Sequence, residues 1–230
     1  MNTSSISQER LGSTFEKPGD DLLERIGLGV TISVHAGGTI VIEGDPIDHC
    51  FRILSGSVHL YKAVADGRRQ IIDFLGATDG FGVIGQSEHA CSAEAITDVV
   101  MVRYPRQSLE AAIAEEPALG QRLFGMACTE LFRAQQRMLL LGRKNADERV
   151  ASFLLDLAAR QSDGKRNGTC LHLPMSRQDI ADHLGLTIET VSRIFTRFKR
   201  ARLVDLPDRH AVVLTDVDRL SRLAEGGLDV

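Results

Sequence analysis

Four side chains in the C-terminal third form a set with a definite chemistry. Ile188, Glu189, Ser192 and Arg193 recur at positions i, i+1, i+4 and i+5, which places them on one face of a helix. They supply an apolar group, a carboxylate acceptor, a hydroxyl and a forked cation, the groups that read base edges in a major groove. Arg193 can bond a guanine's O6 and N7 bidentately, and Glu189 can accept from the amino group of cytosine or adenine. Glu189 also stands one turn before Arg193, where it can orient the guanidinium. Ser192 can contact a base edge, and its small size also suits close approach.

Such a face needs elements that hold it out. Val191, Ile194, Phe195 and Phe198 make the opposite, apolar side of the same helix. Upstream, Ser176 is an N-cap for a shorter helix with Ile180, Ala181 and Leu184 inward. Gly185 then permits the left-handed residue that a tight helix–helix turn requires, and Thr187 caps the second helix. The stretch Ser176–Arg202 reads as a helix-turn-helix. Ser176, Arg177, Gln178, Thr187 and Thr190 sit where phosphate contacts set register. Arg197, Lys199, Arg200 and Arg202 follow where a docked helix would meet the backbone. Helix pairs around a glycine also occur in ordinary bundles; the specific string separates the two.

That string, GLTIETVSRIF, closely resembles the recognition segment of the Crp/Fnr family of bacterial transcription regulators. Further upstream, AGGTIVIEGDPIDHCFRILSGSVHLYK resembles the family's jelly-roll cyclic-nucleotide-binding domain, so the similarity spans almost the whole chain. Glu189, Ser192 and Arg193 match the E-x-x-S-R order of the Fnr-like branch, which implies TTGAT-type half-sites. Ile188 stands where Crp-type members carry an additional arginine, so Crp-like specificity is not expected. The resemblance also implies a homodimer on a palindromic operator of double-stranded DNA, here TTGAT-N4-ATCAA, and activation through contact with RNA polymerase.

Composition agrees with a DNA-binding half joined to a regulatory half. The 230 residues are 43% apolar and 25% charged, with a net charge of −4. Residues 143–202 carry twelve Lys/Arg against seven Asp/Glu, whereas residues 1–142 carry twelve against eighteen. The acidic total therefore conceals a basic segment. No apolar run is long enough for a membrane span, and MNTSSISQER lacks a signal pattern. A cytoplasmic protein without a membrane partner is expected. The four cysteines at 50, 91, 128 and 170 have no metal-binding spacing, and no nucleophile–base constellation is present, so neither a metal site nor an enzyme is expected.

The expected fold class is α+β: an N-terminal β jelly roll, a long dimerisation helix and a C-terminal winged helix-turn-helix. A polar arm covers residues 1–19, a short helix lies near Asp20–Gly27, and the β-roll domain runs from 20 to 115. Seven short strands between Thr31 and Arg103, separated by glycine-containing turns, indicate the roll. Gly80–Gly85 matches G-x-G-x-x-G, but β-rich flanks and the lack of a following amphipathic helix argue against dinucleotide binding. In the resembled family this is the phosphate-binding cassette. Val83 replaces the ribose-binding glutamate there, and Cys91 replaces the arginine that neutralises a cyclic phosphate. The resemblance thus implies the fold without the nucleotide, and a FixK-like branch. Without a cysteine before Cys50, the four-thiolate iron–sulfur cluster of Fnr is not expected either, and no cofactor is assigned. The alternative is a haem-dependent sensor of nitric oxide or another gas, with an axial ligand among His35, His49, His59 and His89.

Residues 116–142 form the dimerisation helix, opened by Pro117. Its expected seam is Leu119, Leu123, Ala127, Leu131, Ala134, Met138 and Leu141, with a second stripe at Phe124, Cys128, Phe132, Gln135 and Leu139. Cys128 is read as core filler. Residues 143–230 form the DNA-binding domain, after a hinge at Gly142–Lys144. Cys170, six residues before the helix-turn-helix, is a candidate redox thiol; an inert half-buried cysteine is the simpler reading.

Overall fold

A computed structural model describes residues 29–64, 67–82, 86–161 and 166–227. The N-terminal arm and the helix expected near Asp20–Gly27 lie outside the described residues, as does Val83. Two four-stranded antiparallel sheets form the β-roll. One orders β1 (Val30–Val34), β8 (Val99–Pro105), β3 (His49–Ser55) and β6 (Gly80–Phe81). The other orders β2 (Thr39–Val41), β7 (Ser92–Ala95), β4 (Val58–Ala63) and β5 (Arg69–Leu75). Alternation along the strands turns Ile53, Val58, Ala93, Ala95, Val99 and Met101 into a shared core between the sheets. Gly56 is required at the β3–β4 turn: its φ is 90°, and a Cβ would lie 2.3 Å from the Asp98 carbonyl oxygen.

The glycine-rich run does not open a helix. Gly80 and Phe81 form the short strand β6, and Gln86–Ala90 is irregular. Helix α1 (Arg106–Glu115) and the start of α2 (Pro117–Arg143) cover the outer face of β8, burying Leu109, Ala112 and Leu119 against Val102 and Tyr104. Leu119 is 2% exposed within its own chain, so it does not belong to a dimer seam. Leu123 is half-buried on the same cluster. The outward stripe of α2 instead runs through Phe124, Ala127, Leu131, Ala134, Met138 and Leu141, with Phe124 71% and Met138 74% exposed. From Ala127 onward this outward stripe runs through the positions expected for the seam, and before Ala127 it lies one residue away from them. Cys128 lies beside this stripe and is exposed, not core filler.

Helix α3 (Ala146–Gln161) is capped by Asn145, whose side-chain oxygen accepts from the Glu148 N–H at 3.0 Å. The C-terminal domain adds β9 (Cys170–His172), α4 (Arg177–Leu184), α5 (Ile188–Arg200), the hairpin β10 (Val204–Asp208) and β11 (Ala211–Leu214), and α6 (Val217–Ala224). Sheet order β10-β11-β9 makes the expected wing.

The link at Gly142–Lys144 is not a free hinge. Helix α2 continues through Arg143 and breaks at Lys144 (φ −85°, ψ 142°). There the Arg149 guanidinium donates to three carbonyls: Lys144 and Leu141 at 2.9 Å and Leu184 at 3.0 Å. These are carbonyls that helix ends leave without intrahelical partners. Ile71 and Phe74 of β5 also share one apolar cluster with Phe153, Leu154 and Leu184 of the C-terminal domain.

Candidate nucleic-acid interface

Local chemistry fixes the two helices of the motif. Ser176 and Asp179 form a capping box: the serine hydroxyl oxygen accepts from the Asp179 N–H at 3.1 Å, and the Asp179 carboxylate accepts from the Ser176 N–H at 2.8 Å. Gly185 ends α4 in the left-handed region at φ 62°. Thr187 caps α5, its hydroxyl oxygen accepting from the Thr190 N–H at 3.2 Å. Val191, Ile194, Phe195 and Phe198 are buried. The turn therefore seats α5 by its apolar side.

The other side of α5 is open. Ile188, Glu189, Ser192 and Arg193 are all exposed, as the spacing predicts. Arg193 makes no hydrogen bond or ion pair among the described residues. The Glu189 carboxyl is held below its usual range, first by the backbone N–H at its own position and the Thr187 hydroxyl, and to a smaller extent by the charge of Arg193. Its chief partners thus belong to the helix N-terminus, and Arg193 is not clamped by it. Thr196, one turn beyond Ser192, shares the exposed face and donates back to the Ser192 carbonyl at 2.9 Å. The i+4 spacing was the sequence signal for this fifth residue.

The basic residues divide differently from the sequence expectation. Arg177 lies with its guanidinium carbon 3.5 Å from the Phe195 ring centroid, a cation–π stack that braces α4 against α5. Burial lowers its pKa. It is a brace rather than a free phosphate donor. Ser176 and Gln178 remain exposed at the start of α4. Arg197 pairs with Asp147 of α3, and Lys199 with Asp205 of the wing at 3.0 Å, so both stabilise the domain while remaining partly exposed. Thr187 and Thr190 are joined hydroxyl to hydroxyl at 3.1 Å. Arg200 is exposed; Arg202 is exposed too and takes the left-handed conformation at φ 56°. Arg209 projects at the tip of the wing, a position that only the placement of the hairpin makes visible.

On the β-roll side, Val83 lies outside the described residues and Cys91 is half-buried. Burial raises the Cys91 thiol pKa, so it stays neutral beside the Lys62–Glu43 pair. A cavity of about 260 Å³ opens among Ile32, Val34, His49, Phe51, His89 and Arg103. That is smaller than the ~300–1,000 Å³ of ordinary small-molecule sites, and His49 and His89 do not fit a haem there. His35 is on the surface beside Asp98 and His59 is buried beside Glu94, so neither faces this cavity as an axial ligand would. Among the described residues no group of three or more His, Cys, Asp or Glu is placed to hold a metal.

Comparison with known proteins decides what this arrangement is. Residues 31–116 match the cyclic nucleotide-binding domain family and residues 148–223 the Crp-like helix-turn-helix domain family. The nitrogen fixation regulation protein FixK of Rhizobium meliloti (strain 1021) is 40% identical over 187 residues, covering 81% of this chain and 83% of that protein. The chain belongs to the Crp/Fnr family of transcription regulators, on its FixK-like branch. The transcriptional activator protein FnrL of Cereibacter sphaeroides is 38% identical over 206 residues, 86% of this chain and 83% of that one. The structure of FixK2 from Bradyrhizobium japonicum superposes with a TM-score of 0.80 at 37% identity, covering 85% of this chain and 96% of that chain. As a Crp/Fnr regulator the chain is a DNA-binding protein and not an enzyme, and none of its described helices is long and apolar enough to cross a membrane.

Proposed function

We propose that the chain acts in the cytoplasm as a two-fold homodimer that reads a TTGAT-N4-ATCAA palindrome and activates transcription by contacting RNA polymerase. The observation that carries this reading is the exposed face of Glu189, Ser192 and Arg193, with Arg193 free of hydrogen bonds and ion pairs among the described residues, on a helix fixed from behind. Two such helices must enter successive major grooves about one helical turn, ~34–36 Å, apart. The outward apolar stripe from Phe124 to Leu141, 3-4 spaced over a helix of 27 residues, supports pairing along α2. Ser176, Gln178, Thr190, Arg200 and the wing's Arg209 would hold phosphates around the reading face. The regulatory setting, oxygen or nitrogen respiration or nitrogen fixation, is inferred from the FixK and FnrL relatives. Cys170, exposed at the head of β9, is the accessible thiol in the DNA-binding half, and oxidation there would weaken binding.

The deciding experiment is fluorescence anisotropy of reduced protein on the palindrome and on a scrambled duplex, with nothing added. Tight, selective binding supports the reading. Equal binding to both duplexes refutes the assigned readers, and peroxide sensitivity unchanged in Cys170→Ser refutes the redox role.

A further inference from the structure

The helix-turn-helix does not rest only on its own domain. Its first helix, α4, lies against strand β5 of the β-roll, more than a hundred residues earlier in sequence, and the contact is built from directed polar bonds. Arg69, the first residue of β5, forks onto two carboxylates of α4: it donates to Asp179, and through Nε to Asp182 at 3.1 Å. Gln70 donates from Nε2 to the Asp182 carbonyl at 2.6 Å, a carbonyl in the last turn of α4. The Ile71 carbonyl accepts from His183 Nδ1 at 3.2 Å, and the His183 ring sits 5.1 Å from Phe74 and 5.9 Å from Phe153.

Two residues on, the same strand presents Asp73, 3% exposed. Its carboxylate pairs with Arg160 of α3 at 3.2 Å and with Arg137 of α2 at 2.7 Å. Arg160 also donates to the Phe74 carbonyl at 2.9 Å and Arg137 to the Ile72 carbonyl at 3.2 Å. One acidic group is thus the shared counter-charge of the β-roll, the long helix and the DNA-binding domain. A charge buried this deeply is tolerated only while its partners stay in place. Five consecutive backbone or side-chain positions, from Arg69 to Asp73, therefore grip α2, α3 and α4 at once. The contacts fall on the sides of α3 and α4 that face β5, while the reading face of α5 stays exposed.

We propose that β5 is a positioning element for DNA recognition: Arg69, Gln70 and Asp73 fix the rotation of the helix-turn-helix on the β-roll and so set the half-site spacing the dimer accepts. The inference rests on the dimer-on-palindrome reading above. Because α2 carries the two-fold stripe and β5 ties α4 to α2 through Asp73, the separation of the two reading helices is dictated by this strand. None of the three residues is a DNA contact; each acts through α4 or α3. Loosening the grip should leave base reading within a half-site intact and relax the choice of spacer.

The test measures full-length wild type, Arg69→Glu, Asp182→Lys and the double variant on TTGAT-N-ATCAA duplexes with spacers of three, four, five and six base pairs, and on a duplex with scrambled half-sites. Wild type should favour the four-base spacer. In Arg69→Glu that preference should fall about tenfold or more while the preference for intact over scrambled half-sites persists. Restoring a pair of opposite charges in the double variant should recover the spacing preference. Arg69→Ala, which removes a side chain already a third exposed, should show the same direction and serves if the charge reversals do not fold. Wild-type spacing selectivity in Arg69→Glu and Arg69→Ala overturns this inference alone. So does a loss that affects intact and scrambled half-sites equally and is not recovered in the double variant. Wild-type protein indifferent to the palindrome at every spacing overturns the operator reading, and this inference with it.

Discussion

Truncating Arg193 to alanine isolates the base-reading contribution more cleanly than any other change on this surface. The side chain is exposed and makes no hydrogen bond or ion pair among the described residues, so the folded protein should lose less than about 0.5 kcal/mol. A bidentate arginine–guanine pair discriminates by ~1–3 kcal/mol. A two-fold dimer makes the contact in both half-sites, which gives about 2–6 kcal/mol, or roughly 30-fold to 10⁴-fold in affinity for the palindrome. On scrambled DNA only a charge near the phosphates is lost, so non-specific binding should fall far less and its salt slope should change by about 1 per subunit. Anisotropy titrations of Arg193→Ala and wild type on both duplexes at several salt concentrations, beside thermal melts, give all the quantities. An equal loss on both duplexes, or a melting temperature lowered by several degrees, would refute the assignment of Arg193 as an unclamped reader.

Arg177→Ala should destabilise the C-terminal domain by about 0.5–2 kcal/mol through loss of the stack on Phe195, whereas Gln178→Ala should weaken DNA binding without moving the melt; the reverse pattern would restore Arg177 as a phosphate contact. Arg202→Gly should relieve a left-handed residue at the end of α5 and raise stability by about 1 kcal/mol, measured as a higher denaturant midpoint; a lower midpoint would show that Arg202 is held by something other than backbone need. His183 is held neutral by burial, which lowers its pKa despite the nearby Asp73 charge. Unfolding below pH ~6.5 therefore takes up a proton, and stability should decline by at most ~1.4 kcal/mol per pH unit there. Urea unfolding at pH 5.5 and 7.5 checks this, and His183→Gln should flatten the dependence; an unaltered slope in that variant would refute it.

Much of the fold was legible because its signals are local. Ser176, Gly185 and Thr187 declare the two helices through caps and one backbone conformation, each within a few residues of the feature it sets. The strands were marked by turns: seven were expected between Thr31 and Arg103, and the described residues form eight in the roll, the two-residue β6 being the one the turns did not mark. What was not legible depends on partners far along the chain. Leu119, Leu123 and Phe124 are all apolar at helical spacing, and only the packing of α1 on β8 shows that Leu119 and Leu123 turn inward while Phe124 faces out. Arg177 looked like a phosphate contact because a stack on a ring eighteen residues away leaves no trace in spacing. The pairing of Arg69 with Asp179 spans 110 residues and could come only from three-dimensional placement.

The fork of Arg149 across three carbonyls carries a kinetic consequence. One rigid, planar group joins Leu141 at the end of α2 to Leu184 at the end of α4, so swinging the C-terminal domain away from α2 breaks the Leu141 bond while those to Lys144 and Leu184 stay with the domain. Hydrogen bonds to charged groups are worth about 1.5–3 kcal/mol each. The Leu141 bond alone would hold the detached form to between about one protomer in ten and one in a hundred and fifty, and the contacts of β5 with α3 and α4 lower that fraction further. Search along DNA would then be carried out by a calliper whose jaws are already set, with the detached form too scarce to govern the rate of arrival. Lysine at this position, a point charge on a flexible stem, would bond the carbonyls one at a time and make the detached form common enough to detect by relaxation dispersion.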